Sequence, residues 1–234
     1  MFEINENTDF EKGQVILINK PLLWTSFDIV KKIRTLIERK LGYRKIKVGH
    51  SGTLDPLAEG LIIICTGKAT KEISKFQAME KEYIATMALG KTTPSFDLET
   101  RIDNEYKIDH ITKDFFKQTI KNFIGIISQV PPLFSAKKFN GNRAYNLARE
   151  GKKFELKSNR IEIKEIEIIK YNLPVVILRI VCSKGTYVRA LARDIGFSLK
   201  SGAHIIGLKR TSIGNYKLSD AITIEEFGKK LKIL

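Results

Sequence analysis

The chain of 234 residues is long enough to bury a substantial core, and its 43% of apolar residues argues against intrinsic disorder. Lys and Arg number 41 against 26 Asp and Glu, which gives a formal charge of +15. This excess favours a polyanionic partner such as RNA or DNA, and a surface of solvated lysines explains it about equally well.

The first part of the chain predicts a strand, a helix and a second strand. Residues 14–18 (QVILI) form an apolar run typical of a strand. A helix is predicted from a hydroxyl cap at Thr25 or Ser26 to a stop at Gly42, because apolar residues recur between them at intervals of three and four. The continuous apolar run 61–65 predicts a central strand buried on both faces.

Further strands and helices alternate along the rest of the chain. The patterns predict a strand at 82–89, a helix at 111–124, strands at 161–169 and 175–181 joined by a turn at 171–174, a helix at 187–199, a strand at 205–214 and a helix at 224–231. Clustered strands with helices between some of them indicate an α+β fold. No repeat or low-complexity linker interrupts the chain, so we expect residues 1–234 to form a single domain, with an N-terminal extension over about residues 1–13.

The cysteines and histidines argue against a metal centre and for a reducing compartment. Cys65 and Cys182 lie inside apolar runs, which is typical of buried thiols and indicates a cytoplasmic location. Together with three histidines they show no metal-site spacing. The N-terminus lacks the apolar core of a signal peptide, and no apolar run is long enough to span a membrane.

The segment 47–60 (KVGHSGTLDPLAEG) is the best candidate for a catalytic loop. It precedes the apolar run 61–65 and combines three glycines with Pro56, which biases Asp55 away from the helical region. Such a loop can hold a carboxylate in a fixed pose at the end of a buried strand. The alternative is an ordinary connection in which Asp55 bonds the local backbone. A nucleophile elbow fits poorly, because the run G-H-S-G-T lacks the final glycine and precedes its strand.

Five ordered segments resemble one enzyme family. The pattern G-H-x-G-x-L-D-P-x-A-x-G is matched at Gly49, His50, Gly52, Leu54, Asp55, Pro56, Ala58 and Gly60. The others are K-P with W-T-S at 20–26, K-E-Y to L-G at 81–90, G-T-Y-V-R at 185–189, and G-A-H with Leu208 and Arg210 at 202–210. Over residues 15 to about 215 the chain resembles the TruB-type tRNA pseudouridine synthases. Leu23 replaces a usual glycine, and Pro94 replaces the first aspartate of a T-D-T-x-D pattern.

The resemblance implies a pseudouridine synthase fold, with a central mixed, mainly antiparallel sheet flanked by helices and loops. It implies that Asp55 is the catalytic carboxylate, that Arg189 pairs with it, and that Tyr83 stacks on the flipped base. Substrate contacts are implied for His50, Tyr83, Tyr187, Leu208, Asp97 and Lys20. RNA contacts are implied for a lid over residues 135–145, at Lys137, Lys138, Arg143 and Tyr145. Without the resemblance, Arg189 fits a surface arginine, Tyr83 a core aromatic and the lid a solvated loop.

The implied reaction converts uridine to pseudouridine at position 55 in the T loop of tRNA by base flipping. No cofactor is implied, because the reaction rearranges one nucleotide without an outside reactant. The resemblance is to a short form without a C-terminal PUA domain, and we expect a monomer with no obligate protein partner. Two alternatives stay open: a non-catalytic RNA-binding protein, and a synthase that acts on another RNA.

Overall fold

The computed structural model describes residues 4–42, 45–135, 137–139, 141–152 and 154–232; the side chains of Leu41, Lys138 and Arg143 lie outside this description. The strands are β1 (Val15–Lys20), β2 (Val48–His50), β3 (Ala58–Thr66), β4 (Lys81–Leu89), β5 (Lys91–Thr92), β6 (Asn104–Glu105), β7 (Gly125–Gln129), β8 (Lys138–Phe139), β9 (Asn142–Arg143), β10 (Asn159–Asn172), β11 (Val175–Cys182), β12 (Ala203–Ile213) and β13 (Tyr216–Lys217). The α-helices are α1 (Ser26–Leu41), α2 (Ile73–Ala78), α3 (Lys113–Lys121), α4 (Ala144–Arg149), α5 (Val188–Ser198) and α6 (Ile224–Lys230). Of the helices that the structure describes, none combines the length and the apolar character needed to cross a membrane.

The chain divides into two compact units, one formed by residues 1–81 with 209–234 and the other by residues 82–208. In the first unit β1 and β2 both pair antiparallel with β3, and β13 pairs with β12. A parallel bridge also joins Ile18 to Ile222. In the second unit β10 lies between β11 and β7 and pairs antiparallel with both. Helices and mainly antiparallel strands in both units confirm the predicted α+β class.

Strand β3 is buried on both faces, as its apolar sequence predicts. Ile62 and Ile64 pack in one core together with residues of α1 and α6. Leu61, Ile63 and Cys65 pack in a second core on the opposite face. Because a shift of one residue would exchange the two sets, the two cores hold β3 in a single register.

Helix α1 begins and ends where the sequence predicts. The Thr25 hydroxyl accepts a hydrogen bond from the Asp28 amide (3.0 Å), and the Asp28 carboxylate accepts one from the Thr25 amide (2.9 Å). This capping box satisfies amides that the first turn leaves unpaired. Gly42 ends the helix in the left-handed conformation (φ 69°). The face that α1 buries carries Ile29, Ile33 and Ile37.

Most predicted elements of the second unit and the C-terminus are confirmed. The predictions at 82–89, 187–199, 205–214 and 224–231 agree with β4, α5, β12 and α6 within two residues at each end. The predicted hairpin is β10 with β11, where Asn172 pairs with Val175 across the turn. Cys65 and Cys182 are buried and unbridged as predicted, and burial raises the pKa of the Cys65 thiol to about 11.

The helix predicted at 111–124 is wrong in its extent. Helix α3 spans only 113–121, because the Thr112 hydroxyl caps it by accepting the Phe115 amide (3.1 Å). At Gly125 the backbone turns to a positive φ of 102° and enters the strand β7. Phe123 and Ile124 continue the apolar spacing of the sequence, but their amides donate to the carbonyls of Ile120 and Lys121 in a turn, and Ile124 is 45% exposed.

Gly60 provides a test of the packing that positions β3. Its φ is 104°, and a Cβ built on it would lie 2.4 Å from the Arg210 carbonyl oxygen. Gly125 has a nearly equal φ of 102° and nothing within 4 Å of its Cβ position. We expect Gly60→Ala to lower the free energy of unfolding by about 2 kcal/mol more than Gly125→Ala, because only Gly60 adds a clash to the backbone strain. Urea denaturation of the two variants measures this difference, and equal losses would contradict it.

Candidate active site

The loop that carries Asp55 connects β2 to β3 and is tied down on both sides of the carboxylate. The Ser26 hydroxyl accepts a hydrogen bond from the Leu54 amide (2.8 Å) and donates one to the Leu54 carbonyl (3.0 Å). On the other side, the Leu23 amide donates to the Pro56 carbonyl (2.8 Å). Asp55 itself is half-buried between these anchors. The backbone on either side of the carboxylate is therefore fixed by the turn that begins α1.

A buried arginine, Arg210, binds the backbone of the same loop. Arg210 is 1% exposed, and its Nε donates to the carbonyl of Leu61 in β3 (2.7 Å). Its terminal nitrogens reach the carbonyls of Gly52 (3.3 Å) and Thr53 (3.5 Å). One guanidinium therefore joins the strand to the loop that precedes it, which suits its five donors in a rigid plane. Sequence reasoning matched Arg210 to a family pattern but assigned it no role.

Lys20 is a second buried cation of this site. Its side chain is fully buried, and Nζ donates to the carbonyls of Trp24 (2.6 Å) and Pro21 (2.9 Å). Burial lowers the pKa of Lys20 to about 8; the negative charge of Asp55 opposes this shift and the positive charge of Arg210 adds to it. Lys20 therefore lies within electrostatic range of Asp55. Its expected role in substrate binding stays a prediction.

His50 ends β2 and contacts the start of the loop that carries Asp55. The Gly52 amide donates a hydrogen bond to His50 Nδ1 (3.2 Å), so this ring nitrogen acts as an acceptor. Burial lowers the pKa of His50, opposed in part by this hydrogen bond, and the charge of Arg210 lowers it further. The imidazole is therefore neutral at neutral pH, the form suited to stacking between bases.

In the second unit, Arg189 and Asp97 form a buried ion pair. Arg189 is 4% exposed and lies 3.4 Å from the Asp97 carboxylate, which also accepts a hydrogen bond from the Glu99 amide (3.0 Å). The guanidinium donates to the carbonyls of Ser95 and Phe134 (2.9 Å each). Arg189 is thus a buried residue of α5 and not the surface arginine that the helix pattern allowed. The expected contacts of Asp97 with RNA and of Arg189 with Asp55 stay predictions.

The loop around Asp97 is ordered despite the proline at position 94. The hydroxyls of Thr93 and Ser95 both donate to the Asp97 carbonyl (2.7 and 3.2 Å). Phe96 adopts a positive φ of 63°, and the Arg193 guanidinium lies 4.9 Å from its ring centroid. Hydroxyls on either side of Pro94 therefore hold the loop that presents the carboxylate to Arg189.

Gln129 fixes the start of α5 and was not singled out by sequence reasoning. It is 1% exposed; its Oε1 accepts the Tyr187 amide (2.9 Å) and its Nε2 donates to the Tyr187 carbonyl (3.2 Å). One side-chain amide thereby pairs with the backbone of the residue that caps α5, two positions before Arg189. The sequence around Gln129 could not indicate this contact, because its partner lies 58 residues further along the chain.

The structure places the other candidate substrate residues in the second unit without testing their roles. Tyr83 is 8% exposed on β4, and Tyr187 and Leu208 are half-buried. In the predicted lid, Lys137 Nζ donates to Asn159 Oδ1 (2.8 Å), and Tyr145 lies under the Arg149 guanidinium (5.6 Å to the ring centroid). Of the other expected RNA contacts, the side chains of Lys138 and Arg143 lie outside the described residues.

No metal centre is found within the part of the chain that the structure describes. Groups of three or more His, Cys, Asp or Glu side chains placed to hold an ion do not occur there.

Two family models match adjoining segments that together cover residues 38–233. The TruB family pseudouridylate synthase (N terminal domain) matches residues 38–188, and the tRNA pseudouridylate synthase B C-terminal domain matches residues 189–233. The chain belongs to the TruB family of pseudouridylate synthases. The resemblance that the five motifs predicted is confirmed.

Individual relatives agree with the family assignment. A "tRNA pseudouridine synthase B" of Phocaeicola vulgatus is 58% identical over 94% of this chain and 93% of its own length. Among solved structures, a Cbf5-Nop10-Gar1 complex superposes with a TM-score of 0.69 at 27% identity, over 95% of this chain and 60% of that one. An H/ACA RNP bound to a substrate RNA containing 2'-deoxyuridine gives 0.67 at 26% identity, over 94% and 53%. The chain spans little more than half the length of these solved relatives. Their similarity to this chain confirms the predicted pseudouridine synthase fold.

Protonation of His50 should destabilise the folded chain. Since the folded-state pKa lies below the unfolded value of about 6.5, the contribution of His50 to stability is present above that value and is lost as the pH falls through the folded pKa. We expect His50→Gln, which keeps an acceptor for the Gly52 amide, to show a smaller loss of stability between about pH 7 and pH 5. Urea unfolding of both proteins across this range measures it. If the variant loses as much stability as wild type over this range, His50 does not cause the pH dependence.

Removal of the Gln129 amide should misplace the start of α5. We expect Gln129→Met to cost about 1–3 kcal/mol of stability, because the buried backbone groups of Tyr187 lose their partners. It should also lower kcat by about tenfold with a smaller change in KM, because Arg189 follows two residues later. Gln118→Met, on the exposed face of α3, is the matched control. Wild-type kcat in a folded Gln129→Met protein would show that this contact does not position the site.

Proposed function

We propose that this chain isomerises uridine to pseudouridine at position 55 in the T loop of tRNA, with Asp55 as the catalytic carboxylate. Family membership makes it a pseudouridylate synthase, and the 58% identical relative carries the name of a tRNA enzyme. The observation that carries the assignment of Asp55 is its loop. A half-buried carboxylate is held between two hydrogen-bonded anchors and lies within electrostatic range of a buried lysine.

The reaction requires a carboxylate and no redox partner. The bond from N1 to C1′ breaks, the base rotates, and a bond from C5 to C1′ forms; C5 loses its proton and N1 carries one in the product. Reactant and product are isomers, so atoms and electrons balance without a further reactant. A carboxylate can serve by attack on C1′ or by proton transfer at the sugar, and it is regenerated in both routes.

The rigidity of the Asp55 loop suits this chemistry. A nucleophile or base acts efficiently when its approach to the reacting atom is set before the substrate binds. The Ser26 hydroxyl and the Arg210 guanidinium bind backbone carbonyls of the loop, at Leu54 and Gly52, and so fix the backbone that leads to Asp55. The side chain can therefore be presented to a flipped nucleotide without a loop having to order first.

Arg189 and Tyr83 complete the proposed site. We expect the Arg189 guanidinium to pair with Asp55, since a fixed positive charge favours the ionised carboxylate in a partly dry pocket. Its bonds to two backbone carbonyls support this role because they hold the guanidinium in one orientation. We expect Tyr83 to stack on the extruded uracil, a contact worth about 1–3 kcal/mol per base.

The charge of the chain supports an RNA substrate. A formal charge of +15 provides the cations that neutralise phosphates, and binding by such contacts weakens as salt rises. The proposed lid carries a cation, Lys137, and an aromatic ring, Tyr145, which are the two kinds of side chain that bind RNA in loops. Action as a monomer, without an obligate protein partner and in the cytoplasm, stays a prediction.

Replacement of the carboxylate separates catalysis from binding. We expect Asp55→Asn to lower the yield of pseudouridine at position 55 by at least about 10³-fold while tRNA affinity changes by less than about threefold. Chemical mapping of pseudouridine in unmodified tRNA and a filter-binding titration measure the two quantities. Asp220→Asn, an exposed aspartate of the same unit, is the control.

The outcomes discriminate between the candidate functions. Equal activity of Asp55→Asn and wild type would remove Asp55 from the mechanism. Tight tRNA binding by a wild-type protein that modifies no tRNA would favour the non-catalytic RNA-binding protein. Product at a uridine other than position 55 would identify a synthase with a different RNA target.

A further inference from the structure

Three large apolar side chains are exposed in the turn that leads into α1 and in the first turn of that helix. Leu22 is 51% exposed, Leu23 is 71% exposed and Phe27 is 64% exposed. Single exposed apolar residues are ordinary on protein surfaces, whereas several in one turn indicate a surface that binds something. We call Leu23 and Phe27, with Leu22 beside them, the apolar platform.

Leu23 occupies its position against a conformational preference. Its φ is 68°, in the left-handed region that favours glycine. The pattern that this segment matches has glycine there, and this chain carries a leucine that contributes nothing to the core. A strained backbone that presents an exposed apolar side chain is typical of a contact with a ligand and not of folding.

The platform is held next to the Asp55 loop. The Leu23 amide donates to the Pro56 carbonyl at 2.8 Å, one residue after the candidate catalytic carboxylate. Three residues further on, the Ser26 hydroxyl binds both backbone groups of Leu54. The position of the platform relative to Asp55 is therefore set by backbone hydrogen bonds within one unit of the protein.

On these grounds we propose that Leu23 and Phe27 bind the base of an unpaired nucleotide adjacent to the target uridine in the substrate RNA. This inference rests on the proposed function of Asp55. A nucleotide that reaches Asp55 brings its neighbours along the strand to the surface beside the loop, and unpaired bases are bound by apolar and aromatic side chains. The occupant is RNA and not a protein segment, because this surface adjoins the catalytic loop that the substrate must reach.

The charges around the platform favour a base over a phosphate as its direct contact. Asp28 follows Phe27 directly, and its carboxylate, held by Thr25 in the capping box, would repel a phosphate placed on the platform. Lys31 is exposed one helical turn after Phe27 and provides a cation for the backbone of the same nucleotide. A neutral base on the platform avoids repulsion from the Asp28 carboxylate, and the phosphate of the same nucleotide then lies towards the Lys31 ammonium.

The test uses Leu23→Gly, a substitution that relieves strain and therefore cannot act by unfolding the chain. We expect its melting temperature to equal or exceed that of wild type, because glycine tolerates the positive φ. We expect KM for unmodified tRNA to rise about fivefold, because the apolar contact of the leucine side chain with the base is lost, with kcat unchanged. Phe27→Ala should raise KM in the same way. Phe197→Ala removes an aromatic residue that is 83% exposed on α5 and should leave KM unchanged.

A T-arm RNA with single abasic sites identifies the nucleotide. We expect one loop position next to the target at which removal of the base raises KM for wild type but has no further effect on Leu23→Gly, since the two changes remove one contact. Wild-type KM in both Leu23→Gly and Phe27→Ala overturns the proposal, and so does strict additivity at every abasic position. If wild type itself forms no pseudouridine in tRNA, the proposed function fails, and this outcome is distinct from failure of the platform.

Discussion

The geometry of the Asp55 loop depends on a buried guanidinium that binds backbone oxygens. Arg210 joins the first residues of β3 to the loop that precedes them, and its charge is almost completely removed from water. Carbonyl dipoles compensate the desolvation of a guanidinium only when several converge on it in its own plane. The backbone of the loop and of the strand therefore has to adopt one arrangement, and the direction of Asp55 follows from it.

Lys20, a second buried cation beside the Asp55 loop, shows the free-energy cost of keeping a positive charge there. Lys20 is buried against two carbonyls with its pKa lowered to about 8, so the protein holds an ammonium where burial disfavours the charged form. Folded proteins break their local preferences mainly at functional sites, where the surrounding packing compensates for the strain. Here the compensation comes from β3, whose two faces are filled by separate cores. The buried strand β3 therefore fixes the position of the Asp55 loop, and Lys20 and Arg210 set the electrostatic environment of that loop.

The second unit positions its functional groups by a related device. Arg189 is held by two carbonyls and the Asp97 carboxylate, and the residue that caps its helix is held by the Gln129 amide. Each of these partners lies more than fifty residues away along the chain from the group that it holds. The guanidinium reaches its position because distant loops close around the start of α5. A substitution in those loops would therefore shift the Arg189 guanidinium while α5 itself stays unchanged.

The sequence by itself determined the family, the candidate residues and the elements with a clear period. Helix α1 could be predicted to within one residue because its caps are local. The centre of β3 could be predicted because a continuous apolar run of strand length is typical of a central strand, although β3 begins at Ala58, three residues before that run. The helix at 111–124 was predicted too long, since Phe123 and Ile124 continue the apolar spacing, whereas their amides donate to carbonyls three residues back in a turn that follows α3. Short elements such as α2, β5 and β8 contain less than one full pattern, so periodicity cannot reveal them.

Only the tertiary structure decided how the candidate residues are held. It placed Lys20 and Arg210 in the interior, paired Arg189 with Asp97, assigned Gln129 to Tyr187 and exposed Leu23 beside the loop of Asp55. The physical reason is that a hydrogen bond or an ion pair depends on atoms brought together from distant parts of the chain. A motif records which groups the chemistry needs, whereas the folded backbone determines their distances, their burial and therefore their charge.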